Sequence, residues 1–355
     1  MQGRLLLYRW RLLRERSPGC MVISIGNLTV GGTGKTPVVE KFARALQDGG
    51  RKVAILSRGY KAKKPPLFRR LQRKWLGMER HKTRVVHDGT TLLMDSRFAG
   101  DEPFMLARSL RDVVVLVDKD RVRAALYATG EMQCDTLLLD DGMQYLPLKH
   151  RLEICLIDRQ APFGNEFLLP RGTLREPPRN LRRASYIFIT KCDGTSNEAL
   201  IQRIRRYNRA AEILECAHEA LYLQHLYTGE RLPLEWLRDR YVGAISGIAR
   251  PESFEGKLRA LGAHVEITKR FADHHRFTDR ELQDFLSRCV RRDLDALITT
   301  EKDSVRFPHA MAVLDLPIYY LRVEIEILTG KETWESLVRR ICQPPAMVPP
   351  ERFFA

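Results

Sequence analysis

The stretch Gly26-Asn-Leu-Thr-Val-Gly31-Gly32-Thr33-Gly34-Lys35-Thr36 constrains this chain more than any other. It follows a short apolar run, Met21–Ile25, rich in β-branched residues. It precedes a segment in which Val38, Val39, Phe42, Ala45 and Leu46 recur at helical spacing before Gly49-Gly50. A second buried run, Val53–Leu56, completes strand, glycine turn, helix and strand, one βαβ unit and the seed of a parallel sheet. Glycines in such a turn let successive backbone N–H groups point at phosphate oxygens, and the helix N-terminus adds its positive end. Lys35 is placed for the β- and γ-phosphates, and Thr36 offers its hydroxyl to Mg²⁺. Pro37 sits in the first helical turn, where its missing N–H costs nothing. The strict pattern GxxxxGK[ST] is not met, because Thr29 stands at its first glycine. The expectation rests instead on the strand before and the helix after. It makes Thr29, Val30, Gly31, Gly32, Thr33, Gly34, Lys35 and Thr36 a nucleotide-binding loop.

Further strand-like runs follow at 113–117, 136–139, 154–157 and 186–189, with a helical pattern at 121–129. The first half therefore reads as α/β with a mostly parallel sheet and ligands at the C-terminal ends of the strands. The second half alternates in the same way, with strands at 241–245 and 296–299 and helices at about 251–261 and 279–290. Two alternating segments, 220–226 and 319–327, are expected to pair as a connector, and a helix follows at about 331–342. The predicted fold class is α/β, a P-loop NTPase-like parallel-sheet domain plus a second smaller α/β domain, joined by a two-stranded β connector. The expected divisions are a basic amphipathic N-terminal helix (1–18), the P-loop domain (19–218) and a connector strand (219–234). The second domain (235–316), the other connector strand (317–328) and a C-terminal helix and tail (329–355) complete them.

Acidic partners for a P-loop follow. Cys134–Leu139 is an apolar run ending in Asp140-Asp141-Gly142, the form of a Walker B element, and either aspartate can hold Mg²⁺ directly or through water. Gly100-Asp101-Glu102-Pro103 is a separate acidic turn before a helix, where by local sequence Asp101 reads as an N-cap.

Length and charge narrow the class. The chain has 355 residues, room for about two domains. With 60 Lys and Arg against 44 Asp and Glu, its net charge is +16, which favours anionic partners. Seven scattered cysteines, none within CxxC distance of another, predict neither a zinc site nor a disulfide framework and fit a reducing compartment. No run of 18 apolar residues suggests a membrane-spanning helix, and no signal peptide is apparent, so the expected compartment is the cytoplasm. The start mixes Leu5, Leu6, Trp10, Leu12 and Leu13 with five arginines. That pattern suits either a membrane-surface helix or one docked on its own domain. The densest basic segment, 61–84, reads as a loop with some helix.

Taken in order, several blocks resemble the tetraacyldisaccharide 4′-kinase family. They are Gly31–Pro37, Ser57-Arg-Gly-Tyr60, Gly100–Pro103, Asp120–Ala125, Leu139–Gly142 and Pro162-Phe-Gly-Asn165. Leu174-Arg-Glu-Pro177, Gly247-Ile-Ala-Arg-Pro251, Asp273-His274 and Thr300-Glu-Lys-Asp303 continue the series. The resemblance spans about residues 20–330, and the ordered set is specific where any one block is weak. It implies two α/β/α domains with a two-stranded linker. It also implies transfer of the γ-phosphate of ATP, with Mg²⁺, to the 4′-hydroxyl of a tetraacyldisaccharide 1-phosphate, giving lipid IVA in lipid A biosynthesis. The implied setting is the cytoplasmic face of the inner membrane, with an acylated disaccharide phosphate as partner. The N-terminus departs from the family in being shorter and more charged than its usual hydrophobic anchor, so the expected attachment is peripheral, to an anionic membrane surface, with the protein a monomer and without nucleic acid.

The same resemblance implies catalytic roles for Asp101 as base, His274 as its partner, Lys35 and Arg175. It implies metal roles for Thr36, Asp140, Asp141 and Glu102, and acceptor contacts for Tyr60, Arg121 and Asn165. Two departures fall near the expected cleft: Arg171-Gly-Thr173 where the family often has Ala-Gly-Pro, and Met143-Gln-Tyr145 where it often has Phe-Gln-His. A competing class is a P-loop ATPase or nucleotide switch that binds RNA or another anion. Such modules interleave aromatic and basic residues on a sheet or recognition helix, a pattern not evident here.

Overall fold

The computed structural model describes residues 7–8, 10, 12–59, 83–273, 275–308 and 316–343. Strands are β1 (Met21–Asn27), β2 (Val53–Ser57), β3 (Arg84–Asp88), β4 (Val114–Val117), β5 (Thr136–Asp140), β6 (Leu152–Asp158) and β7 (Tyr186–Thr190). β8 (Glu212–His225), β9 (Arg231–Leu232), β10 (Tyr241–Ser246), β11 (His264–Arg270), β12 (Ala296–Thr300) and β13 (Ile318–Thr329) follow. Helices are α1 (Lys35–Asp48), α2 (Ser96–Ala99), α3 (Asp101–Ser109), α4 (Arg121–Gly130), α5 (Glu198–Arg205), α6 (Pro251–Ala260), α7 (Asp279–Val290), α8 (Glu301–Ser304) and α9 (Lys331–Cys342).

All these strands belong to one sheet, ordered β11-β10-β12-β13-β8-β7-β6-β1-β5-β2-β4-β3, with β9 added beside β8. β1 lies between β5 and β6 and runs parallel to both. The chain goes to one side of β1 first and, after β5, to the other. That reversal opens a crevice at the C-terminal end of β1, where the glycine loop sits. Alternation along β1 sends Ile23 and Ile25 to the face covered by α1, through Val38, Val39, Phe42 and Leu46, and Val22 to the face covered by α4. Helix α9 seals the α1 side: Trp334 packs edge-on at 4.5 Å from Phe42 and 6.2 Å from Phe188. The second lobe repeats the layering, with α7 on one face of β10–β12 and α6 on the other.

The predicted pair of late extended segments is present. β8 and β13 run antiparallel from Tyr319 opposite His225 to Thr329 opposite Glu215. They are more than a connector, however. The start of β8 pairs in parallel with β7, and the start of β13 with β12, so β8 begins at Glu212 rather than 219. The backbone groups of each strand are satisfied by one lobe at one end and by its antiparallel partner throughout. Of the N-terminal helix expected over 1–18, residues 1–6, 9 and 11 lie outside the described residues. Among the described residues of that segment only Leu7 and Tyr8 are helical. Arg16 instead extends beside Leu148, its N–H donating to Pro147 O (2.8 Å) and its carbonyl accepting from Lys149 N (2.9 Å). Pairing with the segment before β6 outcompetes helix there. The expected tail 344–355 and most of the basic loop 61–84 lie outside the described residues, and Arg84 opens β3.

One buried charge cluster ties α1 to the junction. Arg322 on β13, almost fully buried, bonds Glu40 of α1, Glu301 of α8 (2.5 Å) and Glu324 (3.0 Å). Burial pushes the Glu301 carboxyl up, and the surrounding carboxylates hold Arg322 charged. Arg322→Ala would strand Glu40 and Glu301 in the interior. Its expected cost is about 3–5 kcal/mol of stability, read as a lowered urea midpoint with an unchanged slope. An unaltered midpoint would show that the carboxylates find water instead.

Candidate active site

The glycine loop is shaped for an anion. Gly31 (φ 115°) and Gly34 (φ 78°) take left-handed conformations, and Gly34 caps α1 with no side chain accepting the first amides and no acidic residue in the first turn. Those N–H groups and the positive helix end stay available to phosphate. A Cβ on Gly34 would lie 2.7 Å from Cε1 of His218, a β8 residue whose pKa burial depresses to about 4. The carbonyls on the other side of the loop are pinned from the end of β7. Lys191 Nζ donates to Gly32 O (2.7 Å) and Thr190 Oγ1 to Thr33 O (2.8 Å). Lys191 holds φ 60°, a strained value for a lysine, anchored by Asp158 at 2.5 Å. Sequence reading missed Thr190, Lys191 and His218. The available signal was a polar pair closing a fully buried strand, at the edge where α/β folds bind ligands. Asn27 Nδ2 holds Thr29 O (2.9 Å), while Val30 N donates to Thr173 O and Arg175 N to Leu28 O, both at 2.7 Å.

Lys35 Nζ spans Asn27 Oδ1 (3.3 Å) and Asp141 Oδ1 (3.5 Å). Arg175 grips the same carboxylate at 2.6 and 2.7 Å and reaches Gln144 Oε1 at 3.2 Å. Burial alone would raise the Asp141 carboxyl, but Lys35 and then Arg175 outweigh it and hold it below its usual range. Asp140 behaves oppositely. Burial first, then the charges of Glu102 and Asp141, push it up to about 7. Ser57 Oγ donates to its Oδ2 (3.1 Å), whereas Oδ1 is buried with no hydrogen-bond partner. Two close approaches hold this loop against β1: a Cβ on Gly26 would stand 2.7 Å from Met143 Cβ, and one on Gly142 2.5 Å from Ser24 Oγ.

Arg121 is buried at the start of α4, stacked 4.8 Å over the Tyr145 ring and donating weakly to the carbonyls of Asp140 (3.4 Å) and Asp141 (3.5 Å). Tyr145, one of the departures, accepts from Val122 N and donates to Asp120 Oδ1 (3.2 Å), bracing the platform under Arg121. Gln144 links Asn27 O to buried Glu176, which Asn180 and Arg183 also bond.

Asp101 is not an N-cap, because Gly100 occupies that position (φ 96°). Asp101 is instead the first residue of α3, buried, with Arg276 Nη2 on Oδ1 (3.1 Å) and Arg306 Nε on Oδ2 (2.9 Å). Both arginines come from the second lobe, so this cluster is assembled across the β8–β13 junction. Glu102, next along α3, lies near enough for its charge to act on Asp140. Asn165 is exposed at the rim, its Oδ1 accepting from Thr173 N (3.0 Å) and bracing the loop that pairs with Val30. Thr36 is half-buried in the first turn of α1. Tyr60 and His274 lie outside the described residues.

The four expected metal residues do not form a ready-made cage. Among the described residues no three His, Cys, Asp or Glu side chains converge enough to hold a metal by themselves. Lys35 and Arg175 occupy Asp141. The unpartnered Asp140 Oδ1, with Thr36 opening α1, fits a smaller share, that of a cation completed by water and substrate phosphates, as Mg²⁺ prefers.

Known proteins resemble the chain throughout. The family described as "Tetraacyldisaccharide-1-P 4'-kinase" matches residues 1–343. The tetraacyldisaccharide 4'-kinase of Anaeromyxobacter dehalogenans strain 2CP-C is 39% identical over 333 residues, covering 93% of this chain and 84% of the relative. That of Syntrophus aciditrophicus is 36% identical over 342 residues, covering 93% and 86%. A crystal structure of LpxK from Aquifex aeolicus, described as an "apo" form in complex with ATP, superposes with a TM-score of 0.73 at 28% identity, covering 96% of this chain and 95% of that one.

Proposed function

The chain belongs to the tetraacyldisaccharide-1-phosphate 4′-kinase family and is a kinase of lipid A biosynthesis; from that premise we propose its donor, acceptor and catalytic residues. The donor is ATP and the acceptor the 4′-hydroxyl of a tetraacyldisaccharide 1-phosphate, giving lipid IVA. The observation that carries this reading is the uncapped N-terminus of α1, with Lys35, Asp141 and Arg175 gathered beside it and Glu102, the neighbour of buried Asp101, close enough for its charge to act on Asp140. It supplies a phosphate cradle, cations for developing negative charge, and a carboxylate for the acceptor proton.

The loop amides and Lys35 take the β- and γ-phosphates, and Lys35 exchanges Asp141 for phosphate oxygen. Arg175 stays on Asp141 or turns to the transferring group, neutralising charge on its equatorial oxygens. Asp101 accepts the proton of the sugar hydroxyl as its oxygen bonds the γ-phosphorus. The bond from that phosphorus to the bridging oxygen breaks, and ADP leaves with the electron pair. Mg²⁺, when bound, would be held by Asp140 and Thr36 and supply charge neutralisation. His274 is proposed to support Asp101. Tyr60, Arg121 and Asn165 are proposed to contact the acceptor.

The setting is proposed to be peripheral, at the cytoplasmic face of the inner membrane, as a monomer. No helix among the described residues is long and apolar enough to cross a membrane. Leu7, Trp10, Leu12 and Leu13 expose apolar surface beside arginines, a combination that suits an anionic lipid surface.

The test is transfer from γ-labelled ATP to tetraacyldisaccharide 1-phosphate in mixed micelles. Label at the 4′ position is expected. ATP binding without transfer would remove this acceptor from consideration. A pH effect follows from Asp140. Its folded pKa of about 7 stands above the unfolded value, so the carboxyl is neutral below pH 7 and ionised above it. A proton therefore competes with the cation below 7, and Mg²⁺ affinity should tighten by up to about tenfold per unit from pH 6 to 7, then level off. Isothermal titration at pH 6, 7 and 8 measures this on the parent and on Asp140→Asn, and an Asp140→Asn protein that binds Mg²⁺ as tightly as the parent at pH 8 would exclude Asp140 as a ligand.

A further inference from the structure

Two sequence blocks, Gly247–Pro251 and Thr300–Asp303, have no part in the reaction steps above, yet their residues meet at one point. Arg306, with no side-chain exposure, donates from Nη1 to Gly247 O (3.0 Å) and Asp303 Oδ1 (2.7 Å), and from Nε to Asp101 Oδ2 (2.9 Å). Asp303 is itself fixed by Gly247 N on Oδ2 (3.0 Å) and by Thr300 Oγ1 on the same atom (2.6 Å). Gly247 is confined: a Cβ there would stand 3.2 Å from Ala272 O and 3.3 Å from Asp303 Oδ1. The other carboxylate oxygen of Asp101 receives Arg276 Nη2 (3.1 Å). The Arg276 guanidinium is set by Ser96 through its hydroxyl (3.2 Å) and carbonyl (3.1 Å). Ser96 Oγ in turn donates to Val305 O (2.8 Å), so each lobe braces the other.

We infer that Arg276 and Arg306 are positioning residues, which aim the Asp101 carboxylate at the acceptor hydroxyl from the second lobe, with Gly247, Thr300 and Asp303 as the mount for Arg306. The inference rests on Asp101 being the base. A carboxylate that abstracts a proton must stand within hydrogen-bond reach of it in the right orientation. Left alone, an aspartate at the first position of a helix has free rotamers, so two guanidiniums on opposite oxygens fix its plane. Here each oxygen has its own partner, and each partner is held by a second contact.

The test is a double-mutant cycle on the full chain with ATP and tetraacyldisaccharide 1-phosphate. Arg276 is the accessible member, its side chain about a third exposed, so Arg276→Ala is expected to fold as the parent does. It should lower kcat by about ten- to thirtyfold, leave the KM for ATP within twofold and lower the melting temperature by no more than a few degrees, the protein remaining folded at the assay temperature. Arg276→Lys should recover part of the loss. In an Asp101→Asn background the same Arg276→Ala change should cost less than about twofold, because there is no base left to aim. Equal losses in both backgrounds, or a loss confined to KM or to melting temperature, would overturn the positioning role alone. An Asp101→Asn enzyme as active as the parent would overturn the base assignment and this inference together. A parent that binds ATP but transfers nothing would overturn the proposed acceptor.

Discussion

Lys35→Ala is expected to lower phosphate transfer by about 10²–10³-fold. The ammonium lies between Asn27 Oδ1 and Asp141 Oδ1, largely shielded from solvent, at the mouth of a helix with no competing acid in its first turn. Its removal takes a positive charge from the place proposed for the γ-phosphate, and leaves Asp141 to Arg175 alone. The fold should tolerate the change, since the lost contacts are one long hydrogen bond and one ion pair that Arg175 duplicates. Single-turnover transfer from labelled ATP is the direct readout, with circular dichroism to certify folding. A loss below threefold would mean that the loop amides and a metal suffice, and that Lys35 belongs to the fold of the loop.

Asp101→Asn is expected to cost about 10²–10⁴-fold in transfer, the usual contribution of a positioned general base. Asparagine preserves shape and can still accept from Arg306, but it does not take a proton at neutral pH. Stability should fall modestly, because Asp303 continues to neutralise Arg306 when Asp101 loses its charge. ATP affinity should hold, since Asp101 stands on α3 and not on the glycine loop. Equilibrium nucleotide binding measured beside transfer separates these outcomes. An unchanged rate would assign Asp101 to joining the two lobes and leave the acceptor proton to water.

What was readable in the sequence follows the range of the interactions. β1, α1 and β2 announce themselves because apolar periodicity and glycine punctuation are local. Helices α7 (279–290) and α9 (331–342) match the expected spans because a strong amphipathic pattern fixes their ends. The fusion of two sheets through β8 and β13 was not readable. Alternation shows that a segment is extended, not that Glu212 opposes Tyr186. Around the site, Lys35 and Asp140-Asp141 could be picked out because each terminates an apolar strand or opens a helix. Arg276 and Arg306, which hold Asp101, could not, since Arg306 stands 205 positions away in an unremarkable segment. Lys191 and His218 escaped for the same reason: they act on the loop from strands two and three places along the sheet. At Arg16, where the helical pattern ends, the backbone pairs with residues 147–149 instead, a contact that no local pattern announces.

The way α9 closes over Phe42 and Phe188 imposes a timetable on biosynthesis. The nucleotide-binding lobe is begun by residue 21, yet its last neighbouring strand and its covering helix lie beyond residue 317. At a translation speed of about 5–20 residues per second, the roughly 130 positions from β8 to the end of α9 take on the order of ten seconds to emerge. The inserted lobe, β10 to β12, is complete within that interval and free to fold first. Until Trp334 arrives, Phe42 and Phe188 lack the helix that covers them, an opening for chaperones and for self-association alike.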